Sequence, residues 1–405
     1  MEKKVKKIWI VSGEASGDLY GARLAGELRR LAAEKHVELE LSGMGGRRMI
    51  SAGVPVKVDS TELGVMGVFE VVKILFTIIG VFRRLVKAAA AERPDAVILI
   101  DYPGFNLRFA KKLHRLGIPV IWYISPQVWV WGKRRLPVLE KVCRKMLVIF
   151  PFETEVYGGT QLETEFVGHP LIDLVEERRD PAIMRDPDAF LLLPGSRSGE
   201  ISRLLEPMLS TVTILAQRHK NLHYHLSAPR PQLAEQCREI CEKFRSQHPD
   251  LPEISITVGD TAKWQQQAGT GLAASGTVTV ESAIAGLPLV VGYRMSFCTM
   301  LLAAFLVKLY RGFFTMVNII ADGEVFPEFL QYRFTPECLV PAIEKLLPGG
   351  SDRAQVEAGM RRVVDLLRPD SGSAARQAAL ACWQVIETAE NPANGADKDQ
   401  EKKSE

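Results

Sequence analysis

Two side chains in this sequence have the chemistry that a group-transfer reaction requires, an acid and an arginine on separate loops. Asp101 directly follows the apolar run 97–100, so its carboxylate is expected at the end of a buried strand, over a cleft rather than in the core. A carboxylate in that place can accept the proton of an attacking sugar hydroxyl. The structural alternative is that Asp101 caps the helix predicted to begin at Asn106.

Arg197 lies in the glycine-containing turn 193–200, which follows an apolar run and begins a helix. Free backbone N–H groups at a helix start, together with a guanidinium group, can neutralise a diphosphate without a metal ion. The turn lacks the residue order of a Walker phosphate loop, and a plain strand-to-helix turn is the alternative. The residues of this turn predicted to bind the donor are Gly195, Ser196 and Arg197.

A second turn of this kind lies at 274–281, after another predicted strand. Thr277 is near the first helical turn and Glu281 lies four residues later on the same face, where its carboxylate can accept both hydroxyls of a ribose. An ordinary solvated helix acid is the alternative for Glu281. The residues predicted here to bind a nucleotide are Ser275, Gly276, Thr277 and Glu281.

The loop 12–18, with the sequence SGEASGD, follows the first predicted strand and lacks the dinucleotide fingerprint. Its small residues at a helix start allow a polar ligand to approach closely, and Glu14 can orient a substrate hydroxyl. The alternative is a tight turn in which Asp18 caps the helix. The residues predicted to contact substrate are Gly13, Glu14, Ser16 and Gly17.

The segment 125–135 combines two tryptophans with a basic triplet, which suits a sugar phosphate or a lipid head group. Packing of the tryptophans under the loop is the alternative. No metal site is predicted, because the cysteines are scattered and His219, His223 and His225 lack a completing acid or thiol. We therefore expect neither a metal nor a cofactor.

The elements that must position these loops alternate between short β-branched runs and amphipathic stretches. This alternation predicts an α/β protein with two Rossmann-like, doubly wound domains that face a central cleft. The predicted domains are 1–170 and 186–365. The helices in 366–390 are expected to cross back to the first domain, and the polar tail 391–405 is expected to be disordered.

Composition excludes several classes of protein. The 405 residues are 24% charged and 47% hydrophobic, which is ordinary for a soluble chain of two domains and argues against disorder or a disulfide scaffold. A net charge of +3 is too small for a nucleic-acid footprint. No signal peptide is apparent, so a cytoplasmic protein with reduced thiols is expected.

Two segments, 65–86 and 295–311, are unusually apolar, yet charges keep each run shorter than a membrane-spanning helix. The first has an apolar face wider than one sheet contact would cover. Such a face is buried by a second protein surface, as in a homodimer, or lies in a membrane interface. The residues predicted to contact a membrane or acyl chains are Val68, Val72, Leu75, Ile79, Phe82, Phe305 and Leu306.

Several motifs, taken together, closely resemble those of the lipid-A-disaccharide synthase family of Gram-negative bacteria. They occur in order between residues 12 and 331 and so cover nearly the whole chain. The matching stretches are SGEASGD at 12–18, GMGG at 43–46, DYPGFN at 101–106, SPQVWVW at 125–131, FPFETE at 150–155, FVGHP at 166–170, LPGSRSGE at 193–200, SGTVTVE at 275–281, MVN at 316–318 and PEFLQ at 327–331.

The resemblance implies a GT-B glycosyltransferase that inverts configuration and needs no metal. Its substrates would be UDP-2,3-diacylglucosamine and lipid X, which is 2,3-diacylglucosamine 1-phosphate, and its products UDP and a β-1,6-linked disaccharide. Asp101 matches the family's essential base and Arg197 its essential arginine, while Asn318 would join the donor site. Some members carry a second acid in the loop after the base, where this chain has Gly104.

The family also implies peripheral association with the inner-membrane lipid surface, and no nucleic-acid partner is expected. The sequence is also compatible with two other functions. UDP-N-acetylglucosamine 2-epimerase has the same two-domain plan but binds no lipid, so segment 65–86 would then need burial in a dimer. A non-catalytic protein that binds a nucleotide sugar or a lipid is the other alternative.

Overall fold

The fold is described from a computed structural model of the chain, over residues 5–60, 71–295 and 312–388. The chain folds into two compact units. Unit 1 comprises residues 1–170 and 368–405, and unit 2 comprises residues 171–367. The chain therefore leaves unit 1 once and returns to it near its end.

Unit 1 contains a parallel sheet whose strands pair in the order β3-β2-β1-β4-β5-β6-β7. The strand order reverses between β1 and β4, which are hydrogen-bonded neighbours. Apolar residues fill β4 and β5 without alternation, as expected for strands covered on both faces. The strands are β1 (Val5–Ser12), β2 (Glu38–Gly45), β3 (Val56–Asp59), β4 (Ala96–Ile100), β5 (Val120–Tyr123), β6 (Lys145–Val148) and β7 (Glu163–Phe166).

Helices connect these strands and cover the sheet. The last helix belongs to the returning segment and packs against the first helix, as well as against β5 and β6. The helices described in unit 1 are α1 (Ala15–Glu34), α2 (Arg47–Ser51), α3 (Val71–Glu92), α4 (Pro103–Arg115), α5 (Val128–Trp131), α6 (Leu136–Val142), α7 (Phe152–Tyr157) and, numbered in chain order, α16 (Ala374–Thr388).

A buried lysine fastens the returning helix to the sheet. Lys145 on β6 is 1% exposed, and its Nζ lies 2.8 Å from Glu163 and 2.6 Å from Glu165 on β7. The same ammonium donates to the side-chain oxygen of Gln384 on α16 at 3.1 Å. Because these carboxylates partner the charge, the lysine keeps its proton in an apolar setting.

Unit 2 repeats the same plan with the strand order β10-β9-β8-β11-β12-β13, again entirely parallel. Its order reverses between β8 and β11. The strands are β8 (Asp186–Leu193), β9 (His223–Ala228), β10 (Ile254–Val258), β11 (Ala268–Ala274), β12 (Leu289–Tyr293) and β13 (Glu328–Leu330). The helices described there are α8 (Pro170–Glu177), α9 (Ser198–Arg218), α10 (Pro231–Gln247), α11 (Thr261–Gln267), α12 (Thr277–Ala285), α13 (Met316–Ala321), α14 (Pro336–Glu344) and α15 (Arg353–Leu367).

The predicted α/β class with two Rossmann-like units is confirmed, with two differences of detail. Strands β7 and β13 were not predicted, because each is short and carries acidic residues rather than a β-branched run. The helix expected over 65–86 is described from Val71 and extends to Glu92. None of the described helices is long and apolar enough to cross a membrane.

The exposed face of α3 matches the predicted one at Ile79 but not at Phe82. Phe76 and Ile79 are exposed, at 70% and 37%, whereas Val81 and Leu85 are buried. Phe82, predicted to lie on the membrane-contacting face, instead packs edge-on against two phenylalanines of α4. Several other predicted contacts lie outside the described residues: Val68, Phe305, Leu306, most of the segment 295–311, the tail 391–405 and the side chains of Val72 and Leu75.

Candidate active site

Asp101 lies at the carboxyl end of β4, beside the point where the strand order of unit 1 reverses. Asp101 and Tyr102 both have left-handed backbone conformations, with φ of 45° and 47°. Helix α4 begins at Pro103 rather than at Asn106, and Tyr102 is its N-cap residue, with no side-chain cap bond. Asp101 therefore precedes the helix without capping it, and the capping alternative is wrong.

The amide of Asn106 holds this left-handed turn. Its buried Nδ2 donates to the carbonyl oxygen of Ile100 at 3.2 Å and to that of Asp101 at 2.7 Å. The backbone N–H of Asp101 donates to Tyr123 O on β5 at 3.1 Å. Left-handed backbone is costly for residues other than glycine, so these bonds are what keeps the carboxyl group at the strand end.

The electrostatic setting of Asp101 is suited to a base. Burial, and then the negative charge of Glu14, raise the pKa of Asp101 from its ordinary value to about 6, while a backbone N–H bond opposes the shift. The carboxyl is therefore ionised at neutral pH but binds a proton more readily than an exposed aspartate. A perturbed acid at a strand end is the strongest indication of a catalytic group in unit 1.

The loop 12–18 lies beside Asp101, because Ser12 of β1 pairs with Ile100 of β4. A Cβ at Gly13 would collide with the Tyr102 ring, so the close approach of the two loops requires a glycine there. Glu14 and Ser16 are exposed at the start of α1, and Gly17 is buried. The structure therefore brings the predicted substrate loop and the predicted base together.

Asp18 caps a helix, but not the one expected. Its carboxylate accepts the backbone N–H groups of Gly46 at 2.7 Å, Arg48 at 2.9 Å and Met49 at 3.1 Å. These are the first N–H groups of α2, whereas α1 already begins at Ala15. Asp18 therefore links the motifs at 12–18 and 43–46, which are separate in the sequence.

The segment 125–135 is partly a packing element. Trp129 is 8% exposed and packs edge-on against Phe152, so its ring is not a platform for a ligand. Gln127, Arg134 and Arg135 are exposed. The side chains of Trp131 and Lys133 lie outside the described residues.

In unit 2, the turn 193–200 follows β8, at the reversal point of the second sheet. Gly195 has a φ of 123°, and the backbone N–H of Ser196 donates to the carboxylate of Glu200 at 3.1 Å. Arg197 is the N-cap residue of α9, and its side chain is 77% exposed, with one nitrogen 2.8 Å from Glu200. The remaining donors of the guanidinium face solvent beside the helix start.

The turn 274–281 follows β11, the other strand at the reversal point. Gly276 and Thr277 are exposed at the start of α12, and Ser275 is half-buried. Burial raises the pKa of Glu281, while Arg178 and Gln265 stabilise its ionised form. Glu281 is therefore not the ordinary solvated acid that was the alternative.

Asn318 is fully buried, and unit 2 already uses its amide. The nitrogen donates to Phe326 O at 2.8 Å and to Glu328 at 3.0 Å, and the oxygen accepts the N–H groups of Val325 and Phe326. These bonds give Asn318 the role of holding the turn between α13 and β13. Its predicted contact with the donor would require some of them to break.

The histidines do not form a metal centre. His223 lies 3.0 Å from Asp186, and His225 stacks on Trp264 with ring centroids 3.6 Å apart. No group of three His, Cys, Asp or Glu residues able to hold a metal ion is found within residues 5–60, 71–295 and 312–388.

The sequence did not predict a role in the site region for three residues of unit 1: Tyr102, Asn106 and Glu153. Tyr102 and Asn106 belong to the DYPGFN motif, but their roles depend on the left-handed turn. The residue types in this motif do not predict such a turn. Glu153 belongs to the FPFETE motif, and the sequence signal that could have found it is an acid directly after an apolar run. In the structure it is 1% exposed.

Comparison with known proteins finds relatives along nearly the whole chain. The family model of lipid-A-disaccharide synthetase matches residues 8–382. Lipid-A-disaccharide synthases of Solibacter usitatus and Koribacter versatilis are each 36% identical to this chain over 94% of its length, and over 98% and 99% of theirs.

Solved structures give the fold. A UDP-GlcNAc 2-epimerase from Neisseria meningitidis, bound to UDP-GlcNAc, has a TM-score of 0.58 at 10% identity and covers 94% of this chain and 100% of its own. A glycotransferase of kitacinnamycin has a TM-score of 0.56 at 15% identity, covering 94% and 98%. At such identities the likeness establishes a shared fold and nothing about the reaction.

The three bonds of Asp18 generate a stability prediction. We expect Asp18→Ala to lower the free energy of unfolding by about 2–3 kcal/mol, because it leaves buried N–H groups without an acceptor. Asp18→Asn, which keeps one acceptor oxygen, should lose about half as much. Urea denaturation followed by circular dichroism measures both, with the exposed Asp370→Asn as control. A loss for Asp18→Ala no larger than that of the control would contradict this capping role.

Proposed function

This chain belongs to the lipid-A-disaccharide synthase family, the glycosyltransferases of lipid A biosynthesis, and from that premise we propose how its two units divide the reaction. Unit 1 supplies the base that activates the acceptor, and unit 2 binds the UDP part of the donor. The donor is UDP-2,3-diacylglucosamine and the acceptor is lipid X. The observation that carries the proposal is the position of Asp101, in a left-handed turn directly after β4 and beside the loop of Glu14. Burial, which raises the pKa of Asp101 to about 6, supports it.

Asp101 acts on the 6-hydroxyl of the acceptor. The hydroxyl oxygen bonds to the anomeric carbon of the donor sugar, while the bond from that carbon to the β-phosphate oxygen breaks. The hydroxyl proton passes to Asp101, and the electron pair of the broken bond leaves with UDP. Attack opposite the leaving group inverts the configuration and gives a β-1,6 linkage. Glu14, whose negative charge raises the pKa of Asp101, orients the acceptor.

Arg197 acts on the leaving group. Negative charge grows on the diphosphate as the bond breaks, and an exposed guanidinium at the start of α9 can stabilise it. Gly195 and Ser196 provide close backbone approach in the same turn. The ribose and phosphates bind to the turn after β11, through Ser275, Gly276, Thr277 and Glu281. Asn318 holds the turn between α13 and β13.

We further propose that the reaction needs no divalent metal. The charge of the diphosphate would be met by Arg197 and the free N–H groups at the start of α9. This distribution of roles makes transfer insensitive to chelators, so UDP release should persist in EDTA.

The decisive assay measures UDP release from UDP-2,3-diacylglucosamine, with and without lipid X, in detergent and EDTA, with mass analysis of the lipid product. We expect release that depends on the acceptor and a tetraacyl disaccharide 1-phosphate. Asp101→Asn should lower kcat by about 10²–10⁴-fold, because it removes the general base, yet leave UDP affinity unchanged. Asp370→Asn is the matched control. Acceptor-independent turnover, or full activity of Asp101→Asn, would refute the proposal.

The pH dependence of the reaction follows from the two acids of unit 1. The value of kcat/KM should fall below about pH 6, where Asp101 becomes protonated. In Glu14→Gln the neighbouring negative charge is gone, so the pKa of Asp101 falls and the acid limb of the profile moves to lower pH. The control is Glu38→Gln on β2. An acid limb that stays in place or moves upward in Glu14→Gln would contradict the assigned coupling.

We also propose that the enzyme attaches peripherally to the inner membrane through α3. Phe76 and Ile79 are exposed there, and Arg83 and Arg84 lie exposed one turn further on. Inserted apolar side chains contribute roughly 1.5–3 kcal/mol each, and cations near anionic lipid about 1 kcal/mol each. These contributions are enough for reversible binding to a lipid surface.

Vesicle sedimentation tests this attachment. We expect the protein to bind vesicles of anionic phospholipid, and Phe76→Ser with Ile79→Ser to weaken that binding by roughly tenfold or more. Met184→Ser, which changes an apolar side chain 82% exposed in unit 2, should bind as before. If the double variant binds vesicles normally but changes from dimer to monomer in sedimentation velocity, a second copy covers this face instead.

A further inference from the structure

Unit 2 contains a cavity of about 620 Å³ whose lining carries several hydrogen-bond donors. Arg203 lines it from α9, Arg294 directly follows β12, and Gln331 directly follows β13. Because the strands are parallel, their carboxyl ends share the sheet edge that carries the turns 193–200 and 274–281. A volume of this size is typical of ligand-binding pockets.

Backbone carbonyl groups hold both guanidinium groups of the cavity in place. Nε of Arg203 donates to the carbonyl oxygen of Arg294 at 2.9 Å. Arg294 in turn donates to the carbonyl oxygens of Gln331 at 3.3 Å and Phe334 at 2.7 Å. Within residues 5–60, 71–295 and 312–388, neither arginine forms an ion pair. No carboxylate in that part of the chain therefore neutralises their positive charge.

The third donor is the side-chain amide of Gln331. Its Nε2 is buried and has no hydrogen-bond partner, which is costly for a polar atom away from water. Gln331 also has a left-handed backbone conformation, with φ of 54°, which is costly for a residue other than glycine. A strained residue with an unsatisfied donor in a cavity is typical of a group whose hydrogen-bond partner is a ligand.

The cavity adjoins the turn that is proposed to bind the diphosphate. A Cβ at Gly199, in the first turn of α9, would lie 3.2 Å from a terminal nitrogen of Arg203. The guanidinium and the positive end of the helix dipole therefore attract an anion to the same place. Glu206 is the one acid that the described part of the chain contributes to the lining, and it is exposed, so solvent screens its charge.

Two guanidinium groups and an amide donor suit a phosphate group, whose oxygens accept several hydrogen bonds. The proposed reaction contains a phosphate to which no residue is assigned. Arg197 and the start of α9 bind the diphosphate of the donor, whereas the 1-phosphate of lipid X has no partner. That phosphate is attached to the same sugar ring as the attacking 6-hydroxyl. It must therefore lie within about the length of one sugar unit from the anomeric carbon that carries the diphosphate.

We propose that this cavity binds a phosphate group through Arg203, Arg294 and Gln331, and that the phosphate is the 1-phosphate of lipid X. The inference rests on the proposed function, because it assigns a second contact to the acceptor of that reaction. Arg203 and Gln331 select a phosphorylated acceptor, and Arg294 also holds both of them in position. A free phosphate ion has the same chemistry and is the other source that the experiment must distinguish.

The test compares Arg203→Gln, Gln331→Glu and the control Arg362→Gln, which removes an exposed cation of α15. We measure kcat, KM for lipid X and KM for 2,3-diacylglucosamine, which lacks the phosphate, together with UDP affinity and melting temperature. Arg203→Gln should raise KM for lipid X at least about tenfold, because a charge-assisted hydrogen bond is lost. Gln331→Glu should have a similar effect, because its carboxylate repels the phosphate. The control and the UDP affinity should not change.

The acceptor without phosphate shows whether the effect acts through that group. For the wild type, KM for 2,3-diacylglucosamine should exceed KM for lipid X by at least about tenfold. Neither Arg203→Gln nor Gln331→Glu should raise it further, because the contact that they remove is already absent.

Inorganic phosphate distinguishes the two sources. If the cavity binds lipid X, inorganic phosphate should compete with lipid X in the wild type and in Arg362→Gln, but not in Arg203→Gln. If titration calorimetry shows that phosphate binds to the wild type and not to Arg203→Gln, while KM for lipid X is the same in both, the cavity binds a free phosphate ion instead.

The inference is overturned if a folded Arg203→Gln keeps the wild-type KM for lipid X and binds inorganic phosphate as the wild type does, or if neither protein binds it. It is also overturned if KM for 2,3-diacylglucosamine rises as much as KM for lipid X. If Gln331→Glu fails to fold, Arg203→Gln decides. A wild type that releases no UDP in the presence of lipid X defeats the proposed function itself, whereas an active wild type with unaffected variants defeats only this inference.

Discussion

The constraint on which the site depends is the reversal of strand order in each parallel sheet. Where two neighbouring strands send their connections to opposite sides, a crevice forms at their carboxyl ends. In unit 1 that place lies between β1 and β4, and the loops that leave it carry Glu14 and Asp101. In unit 2 it lies between β8 and β11, and the loops there carry Arg197 and Thr277. Topology alone thus selects the loops at which chemistry can occur.

Burial acts differently on the charged groups of the two units. In the proposed reaction Asp101 exchanges a proton with a hydroxyl, and partial burial makes its carboxylate a stronger base than an exposed aspartate would be. Arg197 only has to remain positive, and its exposed side chain does so without a desolvation cost. The charge that Arg197 must stabilise arrives with the substrate. The proposed base therefore lies at the carboxyl end of a central strand, where burial raises its pKa. The proposed cation needs no such pKa shift and lies exposed at a helix start.

Much of this architecture could be predicted from the sequence, because strands covered on both faces consist of uninterrupted apolar residues. The apolar run 97–100 lies within β4, and the helix start predicted near Thr277 is that of α12. Strands β7 and β13 could not be predicted, since short edge strands with acidic side chains resemble loops.

For the site, residue types suggested Asp101 and Arg197 as the base and the cation, but they did not predict which contacts hold these residues in place. The role of Asp18 depends on a hydrogen bond to Gly46, which is 28 positions away in the sequence. The left-handed turn at Asp101 depends on a hydrogen bond from the side-chain amide of Asn106, which the residue types do not predict. Asn318 shows the converse. A polar residue in a motif suggested a ligand contact, whereas its bonds lie within its own unit, because a buried amide must satisfy all its donors and acceptors.

The two perturbed acids of unit 1 solve a shared electrostatic problem. In the proposed reaction Asp101 must be ionised at neutral pH, and the negative charge of Glu14 already raises its pKa. A second carboxylate beside Asp101, however, would add to the repulsion from Glu14 and raise the pKa of the base beyond the range in which it is ionised at neutral pH. Glu153, the other perturbed acid, avoids this conflict, because burial raises its pKa to about 8 and so disfavours its negative charge at neutral pH. Burial thus gives one acid the basicity that the proposed reaction needs and keeps the other largely uncharged at neutral pH.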